Sequence, residues 1–202
     1  MDGDEDRGED WRGRLKALPT TRTCAGCELC CTVMGVKELG KAPWRPCVYL
    51  GATGGCGVWG AHPDSCKRFT CLWRSSDDLV PAELFPPDCG FLLALDQVER
   101  WPTVVKVCPD AARPLAWDTA ANRRLFARLA AAWNCPVVVL EQGAHGVLAF
   151  APNGRVYTRE RDADVFPQHG RSLAVPGEDY DEDRRAPAER IAQAAFSWRA
   201  GA

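Results

Sequence analysis

The chain has 202 residues, 46% of them hydrophobic and 26% charged, enough for one sizeable core or for a small metal-organised module beside a compact domain. A formal net charge of −2 and a pI near 5.9 supply no basic field for neutralising phosphates, which argues against nucleic-acid binding and leaves protein or small-molecule partners. The 11 cysteines and 8 tryptophans are the departures from ordinary composition.

In chain order, residues 1–20 form an acidic tail with little to bury, expected to be disordered, with at most a short basic turn at Trp11–Leu18. The start lacks the apolar stretch of a secretory signal, and the longest apolar runs, Phe91–Leu95 and Pro136–Leu140, fall far short of a membrane span. A cytoplasmic, membrane-free chain is the expectation. In such a reducing compartment dense cysteines mean metal or redox chemistry, not a disulfide scaffold.

Residues 21–76 read as a cysteine-cluster module. Between Cys24 and Trp73 there is no sustained helical or strand period, the glycine-rich Gly51–Gly55 and three prolines interrupt the chain, and 8 of the 11 cysteines are concentrated there. Such a segment needs something besides an apolar core to hold it, and metal–thiolate bonds are the usual device. The motif Cys24-Ala-Gly-Cys27-Glu-Leu-Cys30-Cys31 repeats the CxxC step. In that step a tight turn brings two sulfurs to one ion while backbone N–H groups point at them. Cys47, Cys56, Cys66 and Cys71 bring the candidate thiolate ligands to eight, enough for one four-sulfur site with spare ligands or for two sites.

The motif, followed by Pro46-Cys47-Val-Tyr-Leu50, Cys56-Gly-Val-Trp59, His62-Pro63 and Cys66-Lys-Arg-Phe-Thr-Cys71-Leu-Trp73, resembles the CxxCxxCC zinc- or iron-chelating family of bacterial cysteine-cluster proteins, the YkgJ-like family. Every cysteine position is filled; Trp59 stands where that family usually has Tyr, and His62 where it usually has Arg. The resemblance implies a chelated metal, with few members assigned a reaction. A related cluster in the longer flagellin lysine N-methylases keeps a protein-modifying enzyme among the alternatives. Four cysteines compressed into Cys24–Cys31 favour a [4Fe–4S] cluster over two independent zinc knuckles, while Cys₄ zinc remains the other candidate.

Several neighbours carry bland readings beside functional ones. His62 is a loop histidine before proline, or else an extra ligand or a donor to one, and His145 sits in a glycine-flanked turn that either only leads into a strand or forms part of a pocket. Cys89, Cys108 and Cys135 read as small buried hydrophobes. Trp44, Trp59, Phe69 and Trp73 are expected to shield the centre from water, and Lys67 and Arg68 to offset thiolate charge.

Residues 77–202 read as a small α+β unit. Gly90–Leu95, Thr103–Val107 and Pro136–Glu141 are expected strands, and Val147–Ala151 with Arg155–Arg159 a hairpin around Pro152-Asn-Gly154. Asp118 or Thr119 caps a helix to about Trp133, with Leu125, Leu129 and Trp133 on one face. Arg161–Arg185, including the acidic run Glu178–Asp183, reads as a polar wrap, and a last helix is expected over Pro187–Ala200. The fold class expected is thus α+β: an irregular cysteine-rich metal-binding module packed on a small mixed sheet with two helices. No phosphate-binding glycine loop, nucleophilic triad or radical-SAM CxxxCxxC spacing is present. Three functions follow from this reading: an accessory metalloprotein handling metal or electrons, a metal-dependent enzyme with a pocket between cluster and sheet, or a zinc-stapled interaction module.

Overall fold

The structure, a computed structural model, describes residues 20–166 except 25, 53, 76, 79, 99–100 and 143–144. The expected tail, most of the polar wrap and the helix over Pro187–Ala200 lie outside the described residues.

A mixed sheet organises the chain, as the α+β reading requires. Its strands are β1 (Thr70–Cys71), β2 (Phe91–Val98), β3 (Trp101–Pro109), β4 (Val137–Glu141), β5 (His145–Phe150) and β6 (Val156–Thr158), paired in that order. All neighbours are antiparallel except β3 and β4, which run parallel with Val105 opposite Val137. A parallel pair needs a crossover, and the helix Ala120–Trp133 supplies it. Thr119 caps that helix, its Oγ1 accepting from Asn122 N at 3.1 Å, and Asn134 ends it in the left-handed region at φ 47°.

The hairpin β5–β6 forms with Phe150 opposite Val156, but its connection is longer than a two-residue turn. Only Gly154 takes a positive φ (88°), whereas Asn153 turns its side chain onto Arg155 N at 3.0 Å. His145 opens β5 opposite Glu141.

Strand alternation divides the core between the two sheet faces. Phe91, Leu93, Leu95, Val105, Val107, Val137 and Val139 face the crossover helix, where Phe126, Leu129, Ala130 and Trp133 are buried. Phe126 meets Phe91 edge-on at 5.8 Å between ring centres. Leu92, Ala94, Val104, Cys108, Val138 and Ala149 point the other way, where Leu29 and Val33 join them.

Those two residues belong to α1 (Leu29–Val33), the short helix inside the cysteine motif. Further short helices follow: α2 (Asp64–Arg68), α3 (Leu72–Ser75) and α4 (Pro86–Cys89); the crossover helix is α5. The segment expected to lack a core of its own therefore borrows one. Leu29 and Val33 are buried against one face of the sheet, and Leu72 against the other. Among the described residues no helix is long and apolar enough to cross a membrane.

Candidate metal centre

The site is built on α1. With Leu29 and Val33 one helical turn apart and both buried, the rotation of this helix is set by the sheet. Cys30 then packs, with Cys27, against the same apolar cluster. Cys31 is rotated away by the ~100° step between helical neighbours.

Upstream, Cys27 N donates to Cys24 O at 2.9 Å across a turn whose third residue, Gly26, has φ 72°. A side chain there would be strained in that left-handed conformation. Leu29 N–H donates to the Cys27 sulfur, the backbone-to-sulfur bond expected of a CxxC turn. Downstream, β1 places Cys71 opposite Ala94 on β2, and the Arg74 and Trp73 N–H groups donate to its sulfur.

Cys47 is tied to α1 by its N–H, 3.0 Å from Cys31 O. A turn from Cys47 to Leu50 and an antiparallel bridge from Leu50 to Cys56 carry the chain back. Glu28 fastens this loop, its Oε1 accepting from Gly55 N at 3.2 Å. A β-carbon on Gly54 would lie 2.9 Å from that oxygen, so the close approach needs glycine. Cys66 stands on α2, which is fixed by Ser65 N donating to Glu38 Oε1 at 2.9 Å.

All eight cluster cysteines, Cys24, Cys27, Cys30, Cys31, Cys47, Cys56, Cys66 and Cys71, line one cavity of about 630 Å³. Its other wall is the sheet, through Leu92, Ala94, Leu95 and Asp96. Cys89, Cys108 and Cys135 are outside it: Cys108 and Cys135 are buried among the sheet's apolar side chains, and Cys89 donates to Phe91 O at 3.1 Å.

Burial raises most of these thiols. It pushes Cys71 up to about 12 and raises Cys24, Cys27 and Cys66 by smaller amounts. Cys31 is the exception: a hydrogen bond from Cys30, with Lys41 nearby, lowers it to about 7, while Cys30 as the donor is raised. Cys31 also hydrogen-bonds Cys56, and Cys24 takes a hydrogen bond from Arg74.

The cations beside the sulfurs are thus Arg74 and Lys41, neither singled out by the sequence pattern. Lys41 Nζ donates to Thr32 O at 3.2 Å and to Met34 O, capping the end of α1 next to the thiols. Lys67 and Arg68 line the same cavity but pair with Asp64 at 3.2 Å and Glu38 at 3.8 Å. Of the aromatics, Phe69 and Trp59 line the cavity. Trp59 is 63% exposed and meets the His62 ring edge-on at 4.7 Å, so it forms a rim and not a lid. Trp44 is anchored to the sheet by Nε1 donating to Pro109 O at 3.1 Å, and Trp73 packs against Phe85 with its ring tilted by 45° and carries the Arg22 guanidinium over its face.

The donor set fits a thiophilic metal: soft sulfur ligands in excess, N–H groups aimed at sulfur, and a buried guanidinium nitrogen, Arg74 Nε, with no hydrogen-bond partner beside Cys24. The thiols are free, with Cys31 hydrogen-bonded to Cys30 and Cys56, and among the described residues no group of three or more Cys, His, Asp or Glu side chains is arranged to hold an ion. In comparisons with protein-family models, curated proteins and solved structures, no match was found for this chain.

Proposed function

We propose that this chain is a thiolate metalloprotein in which Cys24, Cys27, Cys30, Cys31, Cys47, Cys56, Cys66 and Cys71 hold a zinc or iron–sulfur centre. The observation that carries the reading is the selectivity of the cavity: it gathers the eight cysteines of the motif region and leaves out the other three. Bound zinc supplies a structural crosslink there, and a [4Fe–4S] cluster adds one-electron chemistry. The role that follows is accessory, handling metal or electrons or presenting the module to a partner protein, in a cytoplasmic setting. The CxxCxxCC family resemblance supports the same chemistry.

One feature favours a second reading, a metal-dependent enzyme. The cavity runs between the cluster and the sheet, where Leu92 and Ala94 offer an apolar wall beside Asp96, whose carboxylate is paired with Lys106. A small molecule bound there would touch both thiols and sheet.

The deciding experiment is anaerobic purification with metal analysis and a visible spectrum. Iron with broad charge-transfer absorption, or stoichiometric zinc without colour, supports the proposal and identifies the centre. Folded protein that carries neither metal, and takes up neither when supplied, overturns it.

A further inference from the structure

The motif places Cys30 and Cys31 side by side on α1, where adjacent residues leave the helix in directions about 100° apart. Because Leu29 and Val33 lock the helix on the sheet, Cys30 is directed toward the sheet's apolar cluster and Cys31 is not, the two sulfurs still meeting in a hydrogen bond. On the sheet side, Cys30 and Cys27 pack against the cluster that contains Leu92 and Ala94. Cys71 is the β-sheet partner of Ala94, and the Cys24–Cys27 turn brings in Cys24. Arg74 stands against Cys24.

The other side has its own connections. Cys31 O accepts the Cys47 N–H, the Leu50–Cys56 bridge closes the loop after Cys47, and the Cys31 sulfur hydrogen-bonds Cys56. Cys66 lies in the field of Cys31, Cys47 and Cys56. Lys41 is the cation here, interacting with Cys47, Cys31 and Cys66 as well as Cys30. The two groups meet at the Cys30–Cys31 hydrogen bond, and Cys24 and Cys27 also feel Cys31 across that boundary.

We infer that the cavity houses two adjacent four-thiolate sites for tetrahedral metal, one formed by Cys24, Cys27, Cys30 and Cys71 and the other by Cys31, Cys47, Cys56 and Cys66. The assignment rests on the thiolate–metal reading above and deepens it. The motif is not two zinc knuckles in a row: it contributes three ligands to one site and one to the other, and the later cysteines complete both. Arg74 beside the first set and Lys41 beside the second offset part of the excess negative charge of four thiolates around a divalent ion.

Zinc alone is the probe. Reduced full-length protein is loaded with excess Zn²⁺, desalted, and analysed by native mass spectrometry and by alkylation with peptide mapping. The expected result is about two zinc ions per chain, at four thiolates per tetrahedral site, with all eight cluster cysteines protected. Cys24→Ser/Cys27→Ser should keep about one zinc and leave Cys31, Cys47, Cys56 and Cys66 protected; Cys47→Ser/Cys56→Ser should do the reverse. The crossed pair Cys27→Ser/Cys56→Ser, with one ligand lost from each set, should fall to about one-tenth or less of wild-type zinc retention after desalting.

Wild-type protein saturating at a single zinc with four protected thiols overturns the pairing of sites while leaving the metalloprotein reading intact. Wild-type protein that binds no zinc and no iron overturns both. If the variants do not fold, wild-type protein given one equivalent of Zn²⁺ answers the same question. Molecules with four protected thiols all from one set support the assignment, and four drawn from both sets, or no such four-thiol species, overturn it.

Discussion

Arg22, two residues before the motif, offers the sharpest test of how the cavity wall is held. Its side chain is 9% exposed, and its guanidinium donates to Trp73 O at 3.0 Å, Asp77 O at 2.9 Å and Val80 O at 2.8 Å while lying over the Trp73 ring at 4.9 Å. Arg22→Ala removes three charge-assisted hydrogen bonds, and water recovers only part of the bonding of those carbonyls. At about 1–1.5 kcal/mol net for each bond, plus about 0.5–1 kcal/mol for the ring contact, the loss should be about 3.5–5.5 kcal/mol before the Asp77 carboxylate, 3.4 Å from Nε, is counted. That is a large part of the stability of a domain this size. Arg22→Lys should recover less than half, because a single ammonium cannot fork to three carbonyls in one plane. Urea unfolding followed by tryptophan fluorescence, under reducing conditions with unchanged m, measures both variants. A loss below about 1 kcal/mol for Arg22→Ala, or full recovery by lysine, refutes the reasoning.

Asp77 meets the same segment from outside. Its carboxylate is held below the ordinary value first by the Thr21 N–H, then by the Thr21 and Thr20 hydroxyls and Arg22. A depressed folded pKa means that this attachment is fully present above the unfolded carboxylate value of about 4 and is lost as pH falls through the lower folded one; the protection of the Thr21 N–H, its exchange rate relative to the intrinsic rate at the same pH, should fall only in that acid window. Burial pushes Cys108 and Cys135 up to about 12, so at pH 8 both should stay unlabelled by iodoacetamide until the chain is unfolded. Cys27→Ser or Cys66→Ser should lower bound metal, whereas Cys89→Ala and Cys135→Ala should leave it unchanged and cost about 1 kcal/mol of stability; equal metal loss from Cys135→Ala would contradict the division. Thr119→Ala should cost about 1 kcal/mol through the lost cap of α5, readable in thermal unfolding.

How far the fold was legible depended on the range of the interactions. Thr119 and the spacing of Leu129 and Trp133 announce α5 locally, a β-branched run between Pro102 and Pro109 announces β3, and an apolar run after Pro136 announces β4. The parallel pairing of Val105 with Val137 has no local signal, because it arises only when α5 folds across the sheet. β1 is two residues long, too short to carry a period. The cysteine spacing pointed to the eight residues that share the cavity, since closely spaced thiols are a local pattern. What surrounds them was hidden. Glu28, Lys41 and Arg74 are separated in sequence from the groups they serve, and ordinary charged residues leave no mark of which sulfur or amide they approach. The i, i+4 pair Leu29 and Val33 was a usable signal for α1, masked by the cysteines between them.

The alternation along β2 makes one strand serve two masters. Phe91, Leu93 and Leu95 belong to the packing under α5, while Leu92 and Ala94 form the floor on which Cys27 and Cys30 rest. A small-to-large or large-to-small change at Phe91 or Leu93, which lie outside the cavity, should therefore be felt as global stability alone. The same change at even positions should also tilt α1 and with it the thiols. Disturbance of the thiols and loss of folding would then alternate with a period of two from Phe91 to Ala94, so that a scan of neighbouring substitutions separates the two properties without touching any cysteine.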